Sequence, residues 1–148
     1  MFYGKTNPKG IDIPIQKIQR KVYDSLTDLW NSDEPFLDGY GRVYRNQDKE
    51  GKYIPEAYYS NNEYVDPLHN DRVWCTFFFG VASDMKSLGG GLFTAKCHLI
   101  FSLNLDQVKP GITHRADEEV HIYCLDALRN ALPFDTITDV ITWNDNVF

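Results

Sequence analysis

Leu92-Phe93-Thr94-Ala95-Lys96-Cys97-His98-Leu99-Ile100-Phe101-Ser102-Leu103-Asn104-Leu105-Asp106 alternates with a period of two. Phe93, Ala95, Cys97, Leu99, Phe101, Leu103 and Leu105 share one parity. Thr94, Lys96, His98, Ile100, Ser102 and Asn104 share the other, and only Ile100 is apolar among them. Successive side chains of a strand point to opposite faces, so the pattern predicts a strand with one buried and one wet face. It is longer than the usual strand of about five or six residues. A long strand with one wet face predicts an antiparallel sheet covered on one side only.

The neighbouring stretches extend this sheet. Val73 to Ala82 is almost continuously apolar, which predicts a central strand covered on both faces. Gly89-Gly90-Gly91 lies between the two and supplies the backbone freedom of a hairpin tip. Val73–Ala82 and Leu92–Leu105 are therefore expected to form one long central hairpin. Downstream, Pro110 and Gly111 break the chain. A helix is expected from Ala116 to Leu132, with Val120, Tyr123, Cys124, Ala127, Leu128 and Ala131 as its core stripe. Asp117, Glu118 and Glu119 in its first turn and Arg129 in its last suit the helix dipole. Ile137 to Trp143 reads as a final strand.

Upstream, Met1 to Ile13 reads as an extended arm. Asp12 is a plausible cap for a helix whose first turn tolerates Pro14. Ile15, Ile18, Val22, Leu26 and Leu29, widened by Tyr23 and Trp30, form one amphipathic stripe that ends near Asn31. Residues 39–70 read as a loop-rich β excursion. Phe36 to Tyr40 is expected to be a loop, and Arg42–Arg45 with Tyr53–Ile54 a short hairpin about a polar turn. The whole is expected to be a single domain over 1–148 with the α+β class: an antiparallel sheet with a long central hairpin and two helices packed on one face.

Composition narrows the function. Apolar residues make up 43% of the 148, enough for one packed core, and no run approaches a membrane span. The first ten residues lack the apolar centre of a signal peptide, which leads to the expectation of a cytoplasmic start. Cys75, Cys97 and Cys124 cannot all pair, and their apolar settings predict buried reduced thiols. A net charge of −6 with no lysine-arginine cluster argues against tight binding to a phosphate backbone.

No residue set reads as a catalytic centre. His121 and Cys124 share a helix face, and His114, His98 and Cys97 complete the possible ligands, but the paired spacing of zinc sites is absent. Asp38 with Glu50-Gly51-Lys52 loosely echoes the acid-acid-lysine set of metal-dependent nucleases, yet Glu50 and Lys52 flank a glycine in a turn. The triple glycine lacks a following Lys-Ser/Thr and enters a strand, so it is no phosphate loop. No cofactor and no metal is expected.

The succession of elements resembles the tail-terminator and neck-ring proteins, the head-to-tail connectors, of tailed bacteriophages. In that family an N-terminal helix is followed by a β excursion, a long antiparallel hairpin, a second helix on the sheet and a last strand. Here the corresponding parts are Ile15–Asn31, Arg42–Val65, Val73–Leu105, Ala116–Leu132 and Ile137–Trp143. The Tyr- and Asn-rich style is similar to proteins of crAss-like phages of gut bacteria. The resemblance implies a non-enzymatic virion protein of the tail and neck, assembled in the host cytoplasm. Copies would form a hexamer or dodecamer ring between the portal and other neck and tail proteins. DNA would pass through the lumen without sequence-specific binding, and no membrane is involved.

The family pattern carries no residue-level site. Interface candidates come from composition and expected exposure. They are Tyr40, Tyr44, Tyr53, Tyr58, Tyr59 and Tyr64 in the excursion, Met85 and Leu88 near the hairpin tip, and Lys17 and Arg20 on the first helix. The arm and the hairpin tip are the parts expected to reach neighbours. The competing readings are a small metal-dependent nuclease using Asp38, Glu50 and Lys52, and a ligand-binding α+β domain with an aromatic pocket.

Overall fold

A computed structural model describes residues 1–30, 36–58, 63–67, 72–81, 85–111 and 117–131. The class is mixed α+β, as the periodicities predict. The stripe Ile15, Val22 and Leu26 buries one face of α1 (Asp12–Trp30). Val120, Cys124, Ala127 and Ala131 do the same for α3 (Asp117–Ala131). The strands are β1 (Phe2–Tyr3), β2 (Leu37–Gln47), β3 (Tyr53–Tyr58), β4 (Tyr64–Val65), β5 (Cys75–Val81), β6 (Lys86–Gly89), β7 (Leu92–Thr94) and β8 (Cys97–Leu103). A single helical turn, α2 (Leu105–Val108), follows β8.

The main sheet runs β4-β3-β2-β5-β8, with β1 also on β2. Antiparallel pairs join β3 to β4, β2 to β3 and β5 to β8, while β5 and β1 run parallel to β2. Gly39 pairs with both Phe2 and Phe77, so β1 and β5 lie on opposite edges of β2.

Parity along β8 holds where the strand is part of this sheet. Leu99, Phe101 and Leu103 lie opposite Phe79, Phe77 and Cys75, and pack with α1 and α3. Both helices therefore cover the same face. The other face is not simply wet. Phe78 and Ile100 pair there and join Tyr3, Tyr40, Val43, Ala57 and Val65 in a second apolar cluster. A third cluster joins Val108, Val120 and Cys124 to Trp30 and Trp74.

Several expectations change. The stretch from Leu92 is not one strand: β7 and β8 are separated at Ala95-Lys96, and Leu105 starts α2. β6 and β7 form their own two-stranded sheet rather than the upper half of the main hairpin. Phe36 to Tyr40 is no loop, because Leu37–Tyr40 opens the buried half of β2 between β1 and β5. The excursion is mostly sheet, with β3 pairing from Gln47↔Tyr53 to Val43↔Ala57. Residues 1–3 do not extend as an arm. Phe2 and Tyr3 pair with β2, and the Met1 amino group lies 3.0 Å from the Asp38 carboxylate and bonds the Leu37 carbonyl. Asp12 lies inside the first turn of α1 rather than before it, and its carboxylate pairs with Lys5 at 2.7 Å. Leu29 leaves the predicted stripe and is exposed. The expected strand Ile137–Trp143 lies outside the described residues.

Candidate interaction surface

The tyrosines of the excursion are distributed by the pleat of β2 and β3. Tyr40 is buried and stacked on Tyr3 at a centroid separation of 4.4 Å, so it is core rather than interface. Burial, then the nearby Asp38 carboxylate, pushes its phenol well above the ordinary range. Tyr44 and Tyr58 are half-buried around Lys5, whose Nζ lies 5.6 and 5.7 Å from their ring centres. Arg42 covers Tyr44 at 4.6 Å, and Arg45 covers Tyr53 at 3.9 Å. Tyr64 is exposed but rests edge-on against Tyr58. Tyr59 lies outside the described residues. Cation–π contacts of this kind contribute roughly 0.5–1 kcal/mol each at exposed sites. Among the described residues, the tyrosines of the excursion have partners within the chain, and only Tyr53 and Tyr64 offer large exposed faces.

The first helix is tied to the sheet at its start. Gln16 exchanges two hydrogen bonds with the Lys5 backbone, accepting at 2.8 Å and donating at 3.0 Å. Gln19 is buried, and its Nε2 donates to the Tyr3 and Gly39 carbonyls at 3.0 and 2.9 Å. One amide therefore joins α1, β1 and β2. The sequence reading passed over Gln19, although it continues the spacing of Ile15, Val22 and Leu26. The cleft between Lys5, Asp12, Gln19, Arg42 and Tyr58 encloses about 10 Å³, the scale of one water. Arg20 is exposed but lies 3.4 Å above the Phe2 ring, and Lys17 stays exposed on the outer face.

The residues with chemical potential are not brought together. Asp48 organises the turn between β2 and β3, its Oδ1 accepting from the Glu50 and Lys52 backbone N–H groups at 2.9 Å each. Asp38 lies near the opposite end of β2, roughly 30 Å away at about 3.3 Å per residue. His114 lies outside the described residues. Among the described residues no three His, Cys, Asp or Glu side chains form a group fit for a metal, and no helix is long and apolar enough to cross a membrane. Cys75 and Cys124 are buried free thiols as expected, whereas Cys97 is exposed: it shares the parity of Leu99 and Phe101 but lies at the end of β8, outside the cluster they form with the helices.

The surface with the clearest need of a partner is the β6–β7 hairpin. Gly90 and Gly91 have φ of 61° and 80°, the left-handed pair that a two-residue hairpin turn requires. Phe93 lies opposite Ser87, and Leu92 opposite Gly89, with Leu88 at a register shift. Met85, Leu88, Leu92 and Phe93 are 55, 66, 65 and 65% exposed. Parity places Phe93 on one face of the hairpin and Leu92 on the other, so both faces are apolar. Periodicity alone puts Phe93 on the buried face of a long strand that begins at Leu92. No protein-family model, curated protein or solved structure matches the chain.

Proposed function

We propose that this chain is a non-enzymatic, ring-forming virion protein of the tail-terminator or head-to-tail connector type, acting in the neck of a tailed phage. The observation that carries the reading is the β6–β7 hairpin, an apolar projection packed chiefly on itself. Monomeric proteins rarely leave large contiguous apolar patches in water. A subunit that places such a projection on a neighbour gains the burial its own core does not provide. The helix-and-sheet order that resembles this family supports the same reading. A net charge of −6 suits a lumen that lets DNA pass without gripping it. Hexamer or dodecamer rings would sit between the portal and other neck and tail proteins, in a virion assembled in the host cytoplasm.

Light scattering of the purified protein over a concentration series tests this. A discrete species of six or twelve chains, or mass growing towards one, is the expected result. A strict monomer at every concentration overturns the reading for the isolated protein, and imaging of the assembled mass checks that the species is closed.

A further inference from the structure

Beyond the exposed hairpin, a second surface of this chain has the chemistry to receive it. Residues 85–96 contain Lys86 and Lys96 and no carboxylate, on a chain whose net charge is −6. The hairpin is therefore an apolar and basic projection on an acidic body. On the outer face of α3, Glu118, Ile122 and Asp126 follow one another at four-residue spacing, which places them in one row. All three are exposed: Ile122 is 56% exposed and the Asp126 side chain 59%. Asp126 is only loosely paired, with Arg129 at 3.9 Å, and Glu119 on the adjoining row is turned to Lys109 at 2.7 Å. Lys86 lies opposite Thr94, so Lys86 and Lys96 sit together at the base of the hairpin, with exposed Leu88, Leu92 and Phe93 towards its tip. An apolar tip on a basic base is complementary in character to an exposed isoleucine beside two carboxylates.

We propose that the β6–β7 hairpin docks on the outer face of α3 of a second copy of this chain, its apolar tip covering Ile122 and its lysines meeting Glu118 and Asp126. The inference rests on the ring reading and names the contact that would build the ring. Donor and acceptor surfaces differ, so the contact is heterologous: each subunit offers one hairpin and one helix face. Repetition of such a contact closes a ring when its rotation divides a full turn, and otherwise builds a filament. The exposed side of α1 mixes Lys17, Arg20 and Lys21 with Asp24 and Asp28, whereas the Glu118-Ile122-Asp126 row of α3 carries carboxylates alone, which favours α3 as the receiving face.

Complementation tests the contact. Phe93→Ser with Leu88→Ser disables the hairpin, and Ile122→Lys disables the receiving face. Each variant alone should sediment as a monomer at concentrations where the unaltered chain assembles, with its dissociation constant raised at least about tenfold. An equimolar mixture retains one intact hairpin and one intact helix face, so it should give dimers and nothing larger. A variant that merely fails to fold cannot form them. Assembly of either variant at the unaltered strength, or a mixture that stays monomeric, overturns the docking contact and leaves the ring reading standing. An unaltered chain that is monomeric throughout overturns both. If that monomer also floats with phosphatidylglycerol vesicles, the hairpin belongs to a lipid surface instead.

Discussion

Gly39 shows how one missing side chain holds the two layers together. A Cβ at this position would lie 2.7 and 2.9 Å from ring atoms of Phe77 and 3.0 Å from the Tyr23 ring. Phe77 is fully buried in one cluster with Ile15, Leu26 and Leu37. The constraint is contact, not backbone conformation, since Gly39 is absent from the residues with positive φ. Overpacking of a close-packed interior costs about 1–3 kcal/mol. Gly39→Ala should therefore lower the unfolding free energy by that amount, seen as a lower urea midpoint with an unchanged slope of the transition. An unchanged midpoint would mean that the Phe77 ring moves aside freely. The same glycine explains why this stretch reads as a loop in sequence: glycine is a common turn residue, and only the rings that occupy its missing side chain identify it as part of a central strand.

Among the described elements, the β6–β7 hairpin packs chiefly on itself. Isolated two-stranded hairpins are marginal in water, and this one rests on a turn whose residues have φ of 61° and 80°. A side chain in that conformation costs roughly 1–2 kcal/mol per residue. Gly90→Val with Gly91→Val should open the hairpin locally. Amide exchange of 86–94 should quicken, while the global unfolding free energy from urea titration stays within about 0.3 kcal/mol of that of the unaltered chain, because local openings draw on local stability. A large fall in global stability would instead show that the hairpin folds as one unit with β5 and β8. The element view also revises the tyrosines. In sequence their density suggests a sticky excursion, yet the pleat sends Tyr40 inward, and Lys5, Arg42 and Arg45 cover Tyr44, Tyr58 and Tyr53.

At the scale of the molecule, the helix layer and the sheet bury two thiols between them. Burial pushes Cys124 up to about 12 from an ordinary value of 9.0. Burial also raises Cys75, with Cys124 and then Asp38 adding to it. An unfolded chain releases these protons near its ordinary thiol value, whereas the folded chain keeps them. The folded state thus binds more protons above that value, so stability falls as pH rises from about 9 towards about 12 for Cys124. The limiting slope is about 1.4 kcal/mol per pH unit for each thiol. Urea midpoints measured near pH 7.5 and near pH 10 should show the fall, and Cys124→Ala should make it shallower. An equal fall in the variant would assign the alkaline loss to other groups. Burial of Tyr40 and Tyr23 acts in the same direction at higher pH.

The α+β class, both main helices with most of their buried faces, the pairing of Val73–Ala82 with the C-terminal part of the long alternating stretch, and the turn at Asp48–Lys52 were determined by sequence alone. Each of these depends on local periodicity, or on turn chemistry within a few residues, which a single chain carries on its face. Tertiary structure decided the rest. Alternation states which side chains share a face, but not which strand lies alongside, because backbone hydrogen bonds are the same for every partner. The parallel pairing of β2 with β5 and β1 was therefore invisible, as was the place of Gln19, whose amide has value only where the Tyr3 and Gly39 carbonyls converge. The same reason separates Leu99 from Phe93. Both sit on the apolar parity of one stretch, but Leu99 meets a helix layer, whereas Phe93 is left exposed on the two-stranded hairpin. Burial is a property of what comes to cover a residue, and for the hairpin the cover we propose is a neighbouring copy.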